Sequence, residues 1–375
     1  MYKTNTYFVS QPKPIQSSTS TEATMMKRKA YNNICIKLLG AFSNSSNQEN
    51  ELVPTRCILD GLSHVDRPLN LPPPPPGLVS LNLLAYPGDL VTLAKPFAKK
   101  TENDLNFLVV NTDSNFLNVN EEVNEWVKDT SNGKITTITN SEELRSNKIM
   151  LKTKSIFRGN WESSFDVDES LRQFFFYATS EVEAMVPEFA SKAWVMDMMT
   201  CTEVKSIPIF QTKDTTAVVF EYGDMNKKES FFAFMPHEVH SKKQLLEKLA
   251  NLNFEELLEK MAVEDAITVM PKFKYTCKYD INRIIDEQID EFSYNFFRVF
   301  QNGRQRVGFS HTAECSIDNN EIGTMPTAIK ANLWANDFGY FSYKTCVLDK
   351  PFIFFILDKQ QYIITAGLFM DARSL

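Results

Sequence analysis

The chain has 375 residues, 43% of them hydrophobic and 12% aromatic, and a net charge of −7. That balance excludes the basic footprint of a nucleic-acid binder and the cationic face of a protein that binds anionic membranes. The apolar content suffices for a sizeable core and excludes a disordered chain, and no apolar run reaches the roughly 18 residues of a membrane-spanning helix.

At the start, Met1 to Pro12 lack the continuous apolar stretch of a secretory signal, so a cytoplasmic location is expected. Six cysteines, Cys35, Cys57, Cys201, Cys277, Cys315 and Cys346, form no Cys-x-x-Cys pair. Neither a zinc site nor a redox dithiol is indicated, and reduced thiols are the default. Residues 1–78 combine a Ser/Thr-rich start, a basic Met25-Met-Lys-Arg-Lys29, an Asn/Ser patch from Ser43 to Asn50 and the proline run Pro72–Pro76. Such composition buries little apolar surface and predicts a low-complexity N-terminal region outside a domain at 79–375. The proline run is preset to polyproline II and reads as a stiff linker or as a strip for an aromatic partner groove.

Beyond Gly77 the pattern becomes regular. Val119, Val123, Trp126 and Val127 fall at helical spacing, and Asn132-Gly133 supplies a left-handed stop. Lys148–Phe157 reads as a strand running into a turn at Gly159. Thr215–Tyr222 and Ser230–Pro236 read as a hairpin around Gly223-Asp-Met-Asn-Lys-Lys. Ser241 with Gln244 forms a capping box ahead of two short amphipathic helices, which carry Leu245, Leu246 and Leu249, then Leu257, Leu258 and Met261. Ile267–Tyr275 reads as one strand, and the C-terminus as a hairpin, Pro351–Leu357 with Tyr362–Met370. Strands and helices do not alternate strictly, so the class is α+β.

Chemistry-bearing patterns are scarce. His237-Glu-Val-His240 places its histidines three apart after a proline, whereas a zinc pair sharing a helix face needs four. Gly308-Phe-Ser-His-Thr lacks the second glycine of a nucleophile elbow, and no glycine-rich phosphate cradle follows a strand. No metal or cofactor is expected, and a binding or inhibitory protein is favoured over an enzyme.

The order of motifs carries a family resemblance. Asn120-Glu-Glu-Val-Asn-Glu-Trp-Val-Lys-Asp-Thr-Ser-Asn-Gly-Lys-Ile135 and Ser155-Ile-Phe-Arg-Gly-Asn-Trp-Glu-Ser-Ser-Phe165 resemble two serpin signatures. Met198-Met199, the Phe220 to Pro236 hairpin, Met270-Pro-Lys-Phe-Lys with Tyr279-Asp-Ile281, Asn320-Glu-Ile-Gly-Thr324 and Pro351-Phe-Ile-Phe-Phe-Ile356 follow in serpin order over residues 79–375. The resemblance implies three β-sheets, about eight helices and a reactive loop at about Gly323–Leu348. That loop is offered to a serine-type, or cysteine-type, endopeptidase. Once cut, it inserts as a new central strand and traps the protease as an acyl-enzyme. By position, Glu321, Gly323, Thr324, Pro326, Ala328 and Lys330 form the loop hinge. Trp161 sits where insertion begins, and Thr153 and His311 lie under the opening sheet. The scissile bond falls within Asn336-Asp337-Phe338-Gly339-Tyr340-Phe341, whose aromatics suit a chymotrypsin-like or cathepsin-like pocket. Family members are mostly secreted, which makes an extracellular location the alternative.

Departures from the family pattern bear on function. With Thr324 facing inward, strand period 2 puts Pro326, Ala328 and Lys330 on the same buried face. Proline removes a ladder donor there, and a buried lysine charge is costly, so a non-inhibitory substrate or binding protein is the second expectation. Thr153 stands where the family carries a shutter asparagine, an insertion lies between Phe165 and Met198, and the family's opening helix is not legible in residues 1–78.

Overall fold

The computed structural model describes residues 18–65, 69, 71–113, 116–176, 193–223, 229–239, 241–289, 292, 294–304, 307–320, 322–324 and 344–371. Nine helices occur among them: α1 (Ser18–Ser45), α2 (Thr55–Val65), α3 (Lys95–Thr101), α4 (Phe116–Thr130), α5 (Ser141–Leu144), α6 (Lys242–Ala250), α7 (Phe254–Lys260), α8 (Ile281–Gln288) and α9 (Phe296–Val299). The strands up to the first helix-rich stretch are β1 (Glu51–Val53), β2 (Leu78–Tyr86), β3 (Phe107–Asn111), β4 (Ile149–Phe157), β5 (Gly159–Asn160), β6 (Asp166–Phe176), β7 (Ala193–Gln211), β8 (Thr215–Glu221) and β9 (Ser230–Pro236). They continue with β10 (Ala262–Pro271), β11 (Phe273–Asp280), β12 (Gln301–Arg304), β13 (Phe309–Asn320), β14 (Gly323–Thr324), β15 (Lys344–Val347), β16 (Phe352–Leu357) and β17 (Ile363–Phe369).

Where the sequence suggested three sheets, the described residues form two. One runs β1-β17-β16-β9-β8-β7-β10-β15, with β6 paired to β7, and the other runs β3-β2-β4-β13-β14-β5, with β11 paired to β13. Most pairs are antiparallel. The exception that matters for function is the parallel pairing of β4 with β13 at the centre of the second sheet.

The expected boundary at residue 78 is corrected by the N-terminal helices. Tyr31, Cys35, Leu38, Leu39 and Phe42 recur at helical spacing along α1 and are all buried in the main core. Averaged over a Ser/Thr/Asn-rich stretch, that stripe vanishes from the composition although its period of 3.6 residues remains. Asn32 fixes the helix to the C-terminal hairpin, donating to the Gln361 carbonyl at 3.0 Å and accepting from the Ile363 amide at 2.9 Å. Arg28 pairs with Glu255 of α7. β1 pairs with β17, and α2 buries Cys57, Ile58, Leu59 and Leu62 beneath the second sheet. Residues 18–65 are therefore built into the same core as the rest of the described chain.

A second correction concerns Ile267–Tyr275. This apolar run is two strands, β10 and β11, which belong to different sheets and are separated at Lys272. The burial of β11 alternates strictly, because one face covers the core and the other meets solvent. Several local expectations hold. Asn132 and Gly133 both take positive φ, 52° and 74°, after α4. The Ser241 hydroxyl caps α6 by accepting from the Gln244 amide at 3.2 Å. β8–β9 and β16–β17 are hairpin pairs.

The core is aromatic. Phe231 stacks on Phe354 at 5.2 Å, Phe232 on Phe355 at 5.7 Å and Phe273 on Phe369 at 4.8 Å. Each fully buried ring contributes about 1.5–3 kcal/mol relative to exposure, which makes the C-terminal hairpin a rigid wall against which the second sheet is held.

Candidate functional site

The site is the seam between β4 and β13, together with the point where the chain leaves β13. The two strands pair in parallel from Ile149↔Phe309 to Ile156↔Ser316, so no other strand lies between them. Their side chains alternate. Leu151, Thr153, Ser155 and Phe157 of β4, with His311, Ala313, Cys315 and Ile317 of β13, face inward and are buried. The opposite face carries ion pairs: Lys152 with Glu143 at 2.5 Å, and Glu314 with Lys154 at 2.6 Å and Lys278 at 3.2 Å. These border a cleft of about 510 Å³ on that outer face, between the 137–143 segment and β11.

Small side chains line the inner face of the seam. Ser80, Ser155, Cys315 and Cys277 fall in one row across β2, β4, β13 and β11. The hydroxyls of Ser80 and Ser155 are buried with no hydrogen-bonding oxygen or nitrogen; the Cys57 and Cys315 thiols are their neighbours. Burial pushes the Cys57 thiol up to about 11, and Cys315 higher still, so both are held as inert thiols. In the next row lie Asn82, Thr153, Ala313 and Tyr279. Here α2 packs tightly against the sheet. A Cβ on Gly61 would stand 3.1 Å from Asn82 Oδ1 and 3.3 Å from Thr153 Oγ1.

A polar chain crosses the seam at this level. Thr153 Oγ1 donates to Asn82 Oδ1 at 2.7 Å, and His311 Nε2 lies 3.5 Å from the same Thr153 oxygen. On the other side, the Tyr294 hydroxyl lies 3.0 Å from His311 Nδ1. With the Thr153 proton committed to Asn82, one assignment satisfies the chain: Nε2 carries the ring proton toward Thr153, and Nδ1 accepts from Tyr294. Burial pushes His311 down from its usual 6.5 to about 3, so the ring is neutral. Asn282 of α8 holds the strand itself, accepting from the His311 amide at 2.5 Å and donating to the Phe309 carbonyl at 3.0 Å.

At the top of the seam, Trp161 closes the exit of β13. Its indole Nε1 donates to the Asn320 carbonyl at 2.9 Å, and its amide donates to the Ile322 carbonyl at 2.8 Å. The ring stacks on Tyr222 at 4.6 Å and meets Phe165, Phe220 and Phe231 edge-on. Immediately beyond, β14 pairs antiparallel with both β13 and β5, as Gly323↔Asn160 and Thr324↔Gly159. Only glycine fits at 323, because a Cβ there would stand 2.1 Å from the Gly159 carbonyl oxygen. The chain thus leaves β13 by reversing direction, over the end of β4.

Of the residues nominated from sequence, the structure brings Trp161, Thr153, His311, Gly323 and Thr324 onto this one seam. Glu321, Pro326, Ala328, Lys330, Asn336, Asp337, Phe338, Gly339 and Tyr340 lie outside the described residues. Asn82, Tyr294, Asn282 and Gly61 were not foreseen. Asn82 was the legible one, a lone amide inside Leu81-Asn-Leu-Leu, since a polar residue in a buried strand must find a partner. Elsewhere, His237 spends both nitrogens on Thr216 Oγ1 and the Lys213 carbonyl, each at 2.9 Å, and His240 lies outside the described residues.

Comparison with known proteins places this geometry in context. A family model described as Serpin (serine protease inhibitor) matches residues 39–372. Iripin-3 of Ixodes ricinus is 22% identical over 245 residues, covering 63% of this chain and 58% of that protein. Intracellular coagulation inhibitor 2 of Tachypleus tridentatus is 22% identical over 253 residues, covering 67% of this chain and 59% of that protein. The matches thus span about three fifths of the length of these curated relatives. Among solved structures, human thyroxine-binding globulin complexed with thyroxine superposes with a TM-score of 0.71 at 15% identity, over 93% of this chain and 98% of that one.

Proposed function

We propose that this chain, which belongs to the serpin family, is a bait-loop inhibitor of a serine-type endopeptidase. The observation that carries this reading is the pairing of β4 with β13. Because the chain reverses after β13, a strand built from the following residues would run antiparallel to β13, and so also to its parallel neighbour β4. Both strands could then offer it antiparallel ladders, once the direct bonds between them opened. The small inner-face row of Ser155 and Cys315 would leave room for the inward side chains of such a strand. The chemistry follows in order. The protease serine attacks a loop carbonyl, the downstream amine leaves, and the acyl-enzyme is stranded when the cut loop inserts before water hydrolyses the ester. With aromatic residues at Phe338, Tyr340 and Phe341, the fitting target has a chymotrypsin-like or cathepsin-like pocket. Six buried, unpaired thiols support a reducing, cytoplasmic setting for it.

A second reading rests on register. If the cut loop inserted in the register of β14, Pro326 would come between Phe157 and Ile317, Ala328 between Ser155 and Cys315, and Lys330 between Thr153 and Ala313. All six strand partners face the buried side. Ala328 suits its position. Pro326 offers no amide to either neighbour, and Lys330 brings an ammonium against Asn82 and Thr153. Both retard insertion, and if insertion loses the race with hydrolysis the chain is a cleaved substrate or a binding protein instead.

Incubation with chymotrypsin and with a cathepsin separates the two readings. An inhibitor yields a denaturation-stable complex of protease with chain, with inhibition at a few moles per mole. Quantitative loop cleavage with full protease activity retained would overturn the inhibitor reading.

A further inference from the structure

Among the described residues, one ion pair crosses the seam. Lys154 of β4 and Glu314 of β13 are direct register partners on the outer face, 2.6 Å apart. Glu314 is also the register partner of Lys278 on β11, at 3.2 Å. Three charges thus lie in a single row over three strands. Lys154 and Glu314 are only 22% and 24% exposed, whereas Lys278 is 74% exposed, so solvent screens the Lys278 contact more than the one across the seam.

The contacts around this row fall into two blocks that the seam divides. On one side, Lys152 of β4 pairs with Glu143, while Asn124 of α4 donates to the Thr139 carbonyl and accepts from the Ile138 amide. These bonds tie α4, the 137–143 segment and β4 together. On the other side, β11 and β13 pair continuously from Phe273↔Asn319 to Asp280↔Thr312, and Glu314 keeps Lys278. Parting β4 from β13 therefore separates Lys154 from Glu314 and leaves the pairs with Glu143 and Lys278 intact. If the cut loop inserted in the register of β14, Ile329 would come between Lys154 and Glu314, an apolar side chain in place of the contact.

Given the bait-loop reading, in which this seam opens, we infer that the row is a charge latch that sets how readily it does so: Lys154 with Glu314 closes it, and Lys278 loosens it. The opposite signs follow from Coulomb's law. Lys154 is attracted by Glu314 and repelled by Lys278, which lies on the same far side of the seam. Removing Lys278 ends the repulsion and leaves the carboxylate to Lys154 alone, so the seam tightens. Removing Lys154 abolishes the attraction. Removing Glu314 does more, because two ammonium groups then face each other across the gap. Salt weakens whichever interaction dominates, so it loosens a seam held by attraction and tightens one strained by repulsion.

The test is amide hydrogen exchange of segments 149–156 and 309–316 in the full-length chain at low and high sodium chloride, with denaturant unfolding measured beside it. Relative to wild type, exchange is expected to be about two- to fivefold faster in Lys154→Met, faster still in Glu314→Gln and slower in Lys278→Met, with global unfolding nearly unchanged. High salt should speed exchange in wild type and slow it in Glu314→Gln. If a variant folds poorly, the wild-type salt response carries the test, and exchange indifferent to salt would overturn the latch. Equal exchange in all four proteins, faster exchange in Lys278→Met, or seam amides that exchange only with global unfolding would overturn it as well. Exchange in the expected order, in a chain whose melting temperature does not rise on nicking, would uphold the latch and count against the bait-loop reading alone, because opening is measured here without insertion.

Discussion

His311 Nε2 lies 3.5 Å from Thr153 Oγ1 across the seam of two parallel strands, while Thr153 spends its own proton on Asn82. Three strands, β2, β4 and β13, are thereby tied by one hydroxyl. Replacing that hydroxyl without changing shape isolates its role: Thr153→Val leaves Asn82 Oδ1 and the His311 ring nitrogen without their partner. A loss of about 1–3 kcal/mol is expected, the cost of buried polar groups left unsatisfied. Denaturant unfolding of the variant beside wild type measures it, and a difference within error would show that water or a neighbour takes over.

The neutral His311 makes stability depend on pH in a definite sense. Its folded value of about 3 lies below the ordinary 6.5 of the unfolded chain, so the unfolded state binds the extra proton between these limits. Stability from this group is complete above pH 6.5 and falls as the pH drops toward 3, at up to about 1.4 kcal/mol per pH unit. His311→Gln removes this dependence. Comparing unfolding free energies of the two proteins from pH 7 to 4.5 should give curves that converge as the pH falls; parallel curves would mean that His311 is protonated in the fold.

Gly323 sits where a side chain cannot. Gly323→Ala drives a methyl group into the Gly159 carbonyl and should unpair β14 from β5 while leaving the core intact. Limited proteolysis near the hinge should then accelerate severalfold with little change in global stability. Unchanged cleavage would mean that β14 does not hold the hinge.

Register predicts which loop residues resist insertion. Pro326→Thr with Lys330→Ala restores an amide donor and removes the charge that would face Asn82 and Thr153. Cutting the loop of this double variant should stabilise the chain more than cutting the wild-type loop does. Equal stabilisation would show that neither residue faces inward, which contradicts the extended register.

Much of this was legible in the sequence, for physical reasons that differ by element. β8, β9, β16 and β17 are dense runs of β-branched and aromatic residues bounded by turns, and α4 carries its stripe and its Asn132-Gly133 stop in the open. Trp161 and His311 were reached through motif order rather than chemistry, since neither belongs to a spacing that declares its role. What stayed hidden is what composition averages away or topology creates. The stripe of α1 is diluted by its polar neighbours, and Pro271-Lys-Phe273 hides a change of sheet within one apolar run. The partnership of Asn82, Thr153, His311 and Tyr294 joins residues up to 229 positions apart by numbering, which no local pattern reports.

The central claim is that the residues after Thr324 become a strand between β4 and β13 once they are cut. The most direct measurement is a thermal melt of the wild-type chain before and after a single nick within 325–343, introduced by a low level of a broad protease. The account predicts a marked rise in melting temperature after the nick, because the inserted strand completes two antiparallel ladders. An unchanged or lower melting temperature, with the nick verified by mass, would contradict it.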